Sequence, residues 1–347
     1  MSALQNTLVI AGAMLVMVMF VFFWRSERWQ RARVRFQKDH VGIISLAVVI
    51  LYGLVGLMES WQLSTRGTDG REMTLIEYAF QGTPKERGYS APCAKTTYAI
   101  LRPEPLEGSH WFGTDVLGRD VFLQTLRASR TALIIGGLTS LIYIPLGTIF
   151  GIAAGFYKRW VDDVIQYVYS TLACVPGILL LIAIIMVLDN VTFTLWNGET
   201  IQVPRLVQMS LALGITSWVG LCRLIRGDTL RQAGRPYVEA AQALGQSNWK
   251  IITRHILPNV MHLVMINFVL GFSGLVMSEA ILSYIGVGAP IGTASWGTMI
   301  DSARMELARE PAVWWNFAAA SGALFFLVLS LNLLGDSLRR AFDPRAV

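Results

Sequence analysis

Residues 236–258 read PYVEAAQALGQSNWKIITRHILP and form a polar island between two long apolar stretches. The island begins with Pro236, a favourable first helical residue, and continues through helix formers as far as Gly245. Ser247 is a candidate cap for a second helix. The pattern predicts two short helices joined by a glycine turn and held outside the membrane between two spanning helices. A partner that binds this island would therefore move both spanning helices.

The composition is that of a polytopic membrane protein. Of the 347 residues, 54% are hydrophobic and 15% are charged, and the mean hydropathy is +0.50, whereas soluble domains carry about 25% charged residues. The net charge of +6 does not indicate nucleic-acid binding, because the basic residues cluster at the ends of apolar runs, as membrane proteins place them. The three cysteines are an odd number, so we expect no disulfide framework, and nothing in their spacing indicates a metal site.

Seven apolar runs are long enough to cross about 30 Å of hydrocarbon as helices. This predicts an all-α fold with spans at about 7–24, 41–59, 130–157, 163–189, 203–226, 259–285 and 316–335. The segment between the first two runs carries the strongest short-loop positive bias: Arg25, Arg28, Arg31, Arg33, Arg35 and Lys38 against two acids. That bias predicts a cytoplasmic segment.

Counting spans from this segment places residues 227–258 and the C-terminal tail in the cytoplasm. The loops at about 60–129, 190–202 and 286–315 then lie on the outer side. Residues 1–24 contain no Lys or Arg and precede a basic cluster, which is the reverse of a secretory signal. We expect a retained span with its N-terminus outside, the alternative being a helix that lies on the bilayer.

A second informative segment, HWFGTDVLGRD at residues 110–120, lies in the first outer loop. Its histidine and aspartates could suggest an acid pair or metal ligands. The composition favours a structural role, because Asp and Thr beside Gly form turns and caps. Arg119, flanked by Asp115 and Asp120, is expected to satisfy both acids.

A single acid, Glu279, falls within the sixth apolar run. It lies 21 residues beyond Pro258, which corresponds to about 31 Å of helix and places it near the outer face. A carboxylate at bilayer depth is a functional candidate. Two roles stay open for Glu279 and the nearby Ser283: contact with a substrate pathway or its gate, or a buried hydrogen-bonded anchor.

Motifs for ATP binding and for hydrolysis are missing from the sequence. None of the five lysines follows a glycine, so no P-loop is present, and neither His-Glu-x-x-His nor Gly-x-Ser-x-Gly occurs. We therefore expect a non-catalytic chain with no catalytic residues and no cofactor of its own. Any ATP that powers its function has to be bound by another subunit.

Three stretches resemble one known family. Glu239, Ala240, Ala241 and Gly245, followed by Leu257 and Pro258, resemble the EAA loop of ABC importer permeases, which docks on the ATPase subunit. His110, Gly113, Thr114, Asp115, Gly118, Arg119 and Asp120 match the HxxGTDxxGRD signature of the C-type permease of dipeptide, oligopeptide and nickel importers. Residues 278–288 and 295–297 resemble that family's EAxLSFLGxG and SWG stretches, with Tyr284 and Ile285 in place of Phe and Leu.

The resemblance extends over about residues 30–343 and implies a type I ABC importer (MetI-like) core of about six transmembrane helices, here with one extra N-terminal helix. On this basis the chain divides into the extra helix and a basic linker (1–40), the first core helix and a long periplasmic loop (41–129), the permease core with coupling loop 227–258 (130–336) and a cytoplasmic tail (337–347).

In functional terms the resemblance implies a bacterial inner-membrane permease that imports di- or oligopeptides. Its partners would be a homologous B-type permease, two ATPase subunits that bind ATP and Mg, a periplasmic binding protein and membrane lipid. Nickel or another small solute is the alternative cargo.

Two other classes of function were weighed against this one. An ion-coupled secondary transporter would need ionisable groups within the membrane, but the cores of the seven runs hold almost none. A membrane-embedded enzyme would need facing catalytic groups, and His262, the only histidine in a span, has no evident partner in the sequence.

Overall fold

A computed structural model describes residues 27–66, 72–80, 84–98, 104–189, 192–194, 200–290 and 292–342. The first expected span, 7–24, lies outside the described residues. The helices are α1 Glu27–Phe36, α2 His40–Ser60, α3 Leu75–Ala79, α4 Val121–Tyr157, α5 Arg159–Cys174, α6 Gly177–Asp189, α7 Arg205–Ala233, α8 Pro236–Ala243, α9 Asn248–Ile251, α10 Leu257–Tyr284, α11 Trp296–Leu307 and α12 Trp315–Phe342. A π-helical turn, Ile252–Ile256, joins α9 to α10.

Five helices of the described part are long and apolar enough to cross a membrane, and a bent pair makes up to six. The five are α2, α4, α7, the continuous helix Asn248–Tyr284 and α12. This agrees with the predicted polytopic all-α core. α4 and α7 are longer than their expected spans of 130–157 and 203–226, because each continues as a helix beyond the apolar run.

The expected span at 163–189 is not one continuous helix, because the structure has a bent pair of helices there, which together are long and apolar enough for one span. α5 and α6 meet at an angle of 94°, and Val175 between them is extended, with φ −89° and ψ 134°. Pro176 explains the break, since the ring of a proline disfavours helical angles at the residue before it.

Glycines allow α4 and α7 to pack closely. Gly147, Gly151 and Gly155 recur every four residues on α4 and therefore share one face. A Cβ added at Gly151 would lie 2.9 Å from the carbonyl oxygen of Cys222 on α7, and one at Gly155 would lie 2.8 Å from that of Arg226. Small residues at this spacing bring two membrane helices into backbone contact.

Two buried apolar clusters hold the helices together. The first joins α4, α6, α7, α8 and α10, and the second joins α4, α10, α11 and α12 with α2 at its margin. At the start of α2, Asp39 accepts a hydrogen bond from Arg340 of α12 at 2.8 Å. The Arg340 guanidinium holds the pKa of Asp39 down at about 2. This bond connects the start of α2 to the end of α12. We call the side of the protein where these ends and α8 lie the hairpin side.

The opposite side carries two small antiparallel hairpins, in which β1 Gln62–Arg66 pairs with β2 Glu72–Thr74, and β3 Thr192–Thr194 pairs with β4 Thr200–Gln202. Arg127 of α4 forms ion pairs with Glu59 at the end of α2 and Glu77 of α3, the two helices that flank the first hairpin. The predicted loop 286–315 contains α11, a helix that the sequence pattern did not indicate.

Candidate functional site

The polar island forms a helical hairpin, defined as Pro236–Ile256, and its turn depends on Gly245. The amide of Gln246 donates to the carbonyl of Ala241 at 3.1 Å, and that of Gly245 donates to Gln242 at 2.9 Å. Gly245 has φ +74°, which a side chain would disfavour. These two backbone hydrogen bonds, together with a glycine in the left-handed region, form the Schellman motif that ends helices.

One face of the hairpin packs into the protein itself. Val238 and Ala241, three residues apart on α8, are 0% and 5% exposed, and Ile251 of α9 is 0% exposed. In the sequence, Ala240, Ala241 and Ala243 predict a smooth ridge of short side chains that can enter a narrow cleft on a partner, and the structure has this ridge only in part. Ala240 and Ala243 are exposed, but Ala241 points inward because it shares the face of Val238.

The other face is open and bears two large apolar side chains. Leu244 is 81% exposed and Trp249 is 75% exposed, one on each side of Gly245. Glu239 is also exposed. Sequence reasoning missed Leu244 and Trp249, although two apolar residues flanking a glycine turn within a polar island were a signal for them.

The sequence predicts a kink where the chain leaves the hairpin, because Pro258 lacks a backbone donor, but the structure has one helix through this point. The chain is helical from Asn248 to Tyr284, and Leu257 donates to the carbonyl of Ile252, five residues back. This wide turn lies directly before Pro258 and accommodates its missing donor and its ring. Leu257 is half-buried and Pro258 is exposed. Ser247 occupies the cap position of α9 but makes no side-chain cap bond.

Tyr237 of α8 connects the hairpin to both long helices. Its hydroxyl donates to Oε1 of Gln232 on α7 at 2.7 Å and accepts from Nδ2 of Asn259 on α10 at 3.3 Å. Asn259 also donates to the carbonyl of His255. Because one phenol joins α7, α8 and α10, the hairpin and the two spanning helices are fastened together.

The segment at 110–120 folds as a hydrogen-bonded scaffold on the opposite side, with His110, Thr114 and Asp115 buried. Nδ1 of His110 lies 2.8 Å from Oδ2 of Asp120, and its Nε2 lies 3.3 Å from Oε1 of Glu86. Arg119 pairs with Asp115 at 2.8 Å, whereas Asp120 caps α4 by accepting from the amide of Leu123. The expectation that Arg119 satisfies both acids is therefore wrong for Asp120, which His110 and the helix end satisfy.

This scaffold is attached to α12. Nε1 of Trp315 donates to the carbonyl of Thr114 at 3.0 Å, and the Thr114 hydroxyl donates to the carbonyl of Gly88 at 2.7 Å. Gly113 and Gly118 have φ +72° and +68°. A Cβ at Gly118 would lie 1.7 Å from the carbonyl oxygen of Glu86. Within the described residues no group of three His, Cys, Asp or Glu side chains is placed to hold a metal ion.

Glu279 is enclosed at the end of α10, with 1% of its surface exposed. Its Oε1 accepts hydrogen bonds from the hydroxyls of Ser283 at 2.7 Å and Ser295 at 2.6 Å. Ser283 in turn accepts from the amide of Ala289, and Ser295 accepts from that of Gly297. This is the geometry of the buried anchor, since the carboxylate fastens the loop after α10 to the start of α11.

A polar cleft of about 330 Å³ opens between α4, α7 and α10. Small and polar residues line it, among them Ser217 and Gly220 of α7 and Asn267, Gly274 and Ser278 of α10. Gly220 and Gly274 are exposed, and a Cβ added at either would meet open space. α7 and α10 are also the helices that flank the hairpin.

Comparison with known proteins places this architecture in a family. Residues 147–347 match the model of the binding-protein-dependent transport system inner membrane component. The chain is 28% identical over 317 residues to the oligopeptide transport system permease protein of Bacillus subtilis (strain 168), covering 91% of this chain and 90% of the relative. It is 34% identical over 237 residues to the glutathione transport system permease protein of Pectobacterium atrosepticum, covering 68% and 73%. A matching glutathione permease of Shigella dysenteriae serotype 1 is 35% identical over 236 residues, covering 68% and 72%. The chain is therefore a member of the binding-protein-dependent transport system inner membrane component family, the permeases of ABC importers.

Proposed function

We propose that this chain is the C-type permease subunit of an ATP-driven importer of short peptides. It would form the pathway with a homologous B-type permease, receive cargo from an extracytoplasmic binding protein, and be driven by two ATPase subunits that bind ATP and Mg. The relatives support peptide cargo, because one is named for oligopeptides and others for glutathione, itself a tripeptide. Nickel or another small solute is the alternative cargo.

The observation that carries the proposal is the exposed apolar tip of the hairpin. Leu244 and Trp249 project from a segment whose other face is packed into the protein. Large apolar side chains that cluster on an otherwise polar surface mark a site of protein contact. We assign this tip, with Glu239, Ala240 and Gly245 around it, to the ATPase subunit. The hairpin side is then cytoplasmic, as the Arg and Lys residues of α1 and the end of α12 favour.

The same geometry supports a mechanism for coupling. Tyr237 fastens the hairpin to α7 and α10, and these two helices line the polar cleft. Movement of the hairpin by the ATPase subunits would shift both walls of the cleft together. Driving a two-state change from one extreme to the other takes about 5.5 kcal/mol of differential binding, which partner docking and nucleotide binding would supply.

Glu279 and Ser283 take the role of a positioning anchor in this proposal. The bonds from Glu279 to Ser283 and Ser295 hold the loop that follows α10 over the outer end of that helix. A shift of α10 would carry this loop with it. The pair would thus act on an outer gate through the loop and without contacting cargo.

The test is a double substitution at the tip, Leu244→Asp with Trp249→Asp. We expect the protein to insert normally but to lose its ATPase subunits during purification and to lose ATP-driven peptide uptake. Met305→Asp is the matched control, because Met305 is 69% exposed on α11, away from the hairpin. Normal uptake by the double variant would refute the coupling role. Transport by this chain without any ATPase would instead favour an ion-coupled secondary transporter.

A further inference from the structure

A long apolar groove runs along the membrane-facing part of the chain and is separate from the polar cleft. It has a volume of about 840 Å³ and is lined by residues of α1, α2, α4, α10 and α12. On α4 its lining runs from Ser129 to Pro145, about 24 Å at 1.5 Å per residue. The groove therefore extends through most of the hydrocarbon thickness.

The groove and the cleft use different faces of α10. Met261, Met265, Phe268 and Phe272 line the groove, and Asn267, Gly271, Gly274 and Ser278 line the cleft. The two stripes have the same spacing and are offset by six residues, which is about 120° around a helix. A ligand in the groove would not stand in the proposed path of cargo.

The polar side chains within the groove are satisfied by the protein. The Tyr52 hydroxyl donates to the carbonyl of Ala323 at 3.0 Å, and the Ser140 hydroxyl donates to that of Gly136 at 2.6 Å. What these walls offer to a ligand is hydrocarbon surface. An occupant of this part of the groove is accordingly apolar along its length.

The end of the groove on the hairpin side has the opposite character. Gln30, Arg33 and Gln37 of α1 and its following turn line the groove there, and α1 with the next two residues also carries Arg31, Arg35 and Lys38. Asp39, the acid beside them, is engaged by Arg340. The basic residues at this mouth outnumber the acidic ones, so the mouth is net positive.

From these observations we infer that the groove binds an anionic phospholipid of the leaflet on the hairpin side. The groove is about 24 Å long at 1.5 Å per residue and about 840 Å³ in volume, so it is long enough and apolar enough to take acyl chains. Basic pockets between membrane helices on the cytoplasmic side bind anionic headgroups, and the basic mouth selects such a lipid here.

The test uses the full-length chain in its complex, transferred to nanodiscs of equal phosphatidylcholine and phosphatidylglycerol, with retained lipid identified by native mass spectrometry. Gly53 and Gly137 line the groove, and a Cβ at either meets open space, so Gly53→Leu with Gly137→Leu places two side chains in the groove. We expect the wild type to retain phosphatidylglycerol several-fold over phosphatidylcholine and the double variant to lose most of it. Gly322→Leu is the matched control, since Gly322 is equally unobstructed but does not line the groove.

The headgroup site is tested separately by Arg33→Gln, with Arg339→Gln as a charge-matched control outside the groove. Arg33→Gln should retain lipid but lose the preference for phosphatidylglycerol, and Arg339→Gln should keep it. Equal retention by the wild type and the filled variant would overturn the inference, as would a wild type without lipid preference. Efficient disulfide formation between Met14→Cys and Gly137→Cys would also overturn it, because the chain's own N-terminal segment would then occupy the groove.

Discussion

Arg226 of α7 forms a two-point ion pair with Asp162 of α5, with Nε–Oδ1 and Nη2–Oδ2 distances of 2.5 and 2.6 Å. Both side chains are largely shielded from solvent, and the pair fastens the bent α5–α6 element to the helix that leads into the hairpin. Arg226→Gln leaves a shielded carboxylate without its partner. We expect a loss of about 1.5–3 kcal/mol in unfolding free energy, the usual value of a hydrogen bond to a charged group.

Thermal unfolding of the purified protein in detergent measures this loss. The exchange variant Asp162→Arg with Arg226→Asp is the control, because it restores opposite charges across the same contact. Recovery of at least part of the lost stability supports a specific pair. If Arg226→Gln unfolds at the wild-type temperature, the pair contributes little and α5 is held by its apolar contacts.

The scaffold around His110 should be sensitive to one methyl group at Gly118. Gly118 has φ +68°, and its added Cβ would overlap the carbonyl of Glu86. Gly118→Ala should therefore make the outer segment sensitive to protease added from the outer side. Gly88→Ala is the control in the same scaffold, because a Cβ there meets nothing within 4 Å. Equal protease resistance of the two variants would contradict the close contact between Gly118 and the carbonyl of Glu86.

Glu306 of α11 provides a pH-dependent prediction. Burial raises the pKa of this carboxyl above its ordinary value of 4.5, and the negative charge of Asp115 acts in the same direction, against hydrogen bonds from Asn316 and Tyr89 and the positive charge of Arg309. A raised folded-state pKa means that the charged form destabilises the fold. The penalty is complete above the raised pKa, diminishes as the pH falls through it, and is absent below 4.5.

We therefore expect Glu306→Gln to unfold at a higher temperature than the wild type at neutral pH, with the difference shrinking towards pH 4.5. Unfolding temperatures measured between these two pH values test this. Glu310→Gln, an exposed acid close by in sequence, is the control. A difference that is constant across the range would mean that the charge of Glu306 is not responsible.

The sequence predicted the parts of this protein that depend on local pattern. Apolar run length gave the position of most spanning helices, and Pro236 with Gly245 gave the hairpin, because proline and glycine restrict the backbone wherever they occur. Pro176 was itself a local signal for the bend. The long apolar run on both sides of it nevertheless predicted a single spanning helix. α11 has no sustained apolar periodicity, and its position depends on tertiary contacts such as the bond from Trp296 to the carbonyl of Thr125.

Side-chain partners were less predictable, because they depend on which segments meet. Arg119 lies next to Asp120 in sequence, yet Asp120 contacts His110, since the turn at Gly113 brings the histidine back over the start of α4. Ala241 was expected on the docking surface with Ala240. Which of two neighbouring alanines faces out is decided by the packing of Val238, and this requires the position of α10 and α7 around α8.

The polar cleft gives the last prediction, which tests the pathway separately from the coupling hairpin. Gly220→Leu with Gly274→Leu places two side chains in a cleft of about 330 Å³, and the Cβ of each has no atom within 4 Å. We expect this variant to assemble with its ATPase subunits and to hydrolyse ATP, but to lose most peptide uptake, because the walls of the path are closed. Gly322→Leu, on α12 and equally unobstructed but outside both the cleft and the coupling loop, should transport normally. Undiminished uptake by the filled variant would show that cargo passes elsewhere, whereas loss of the ATPase subunits would show that the substitutions act on assembly.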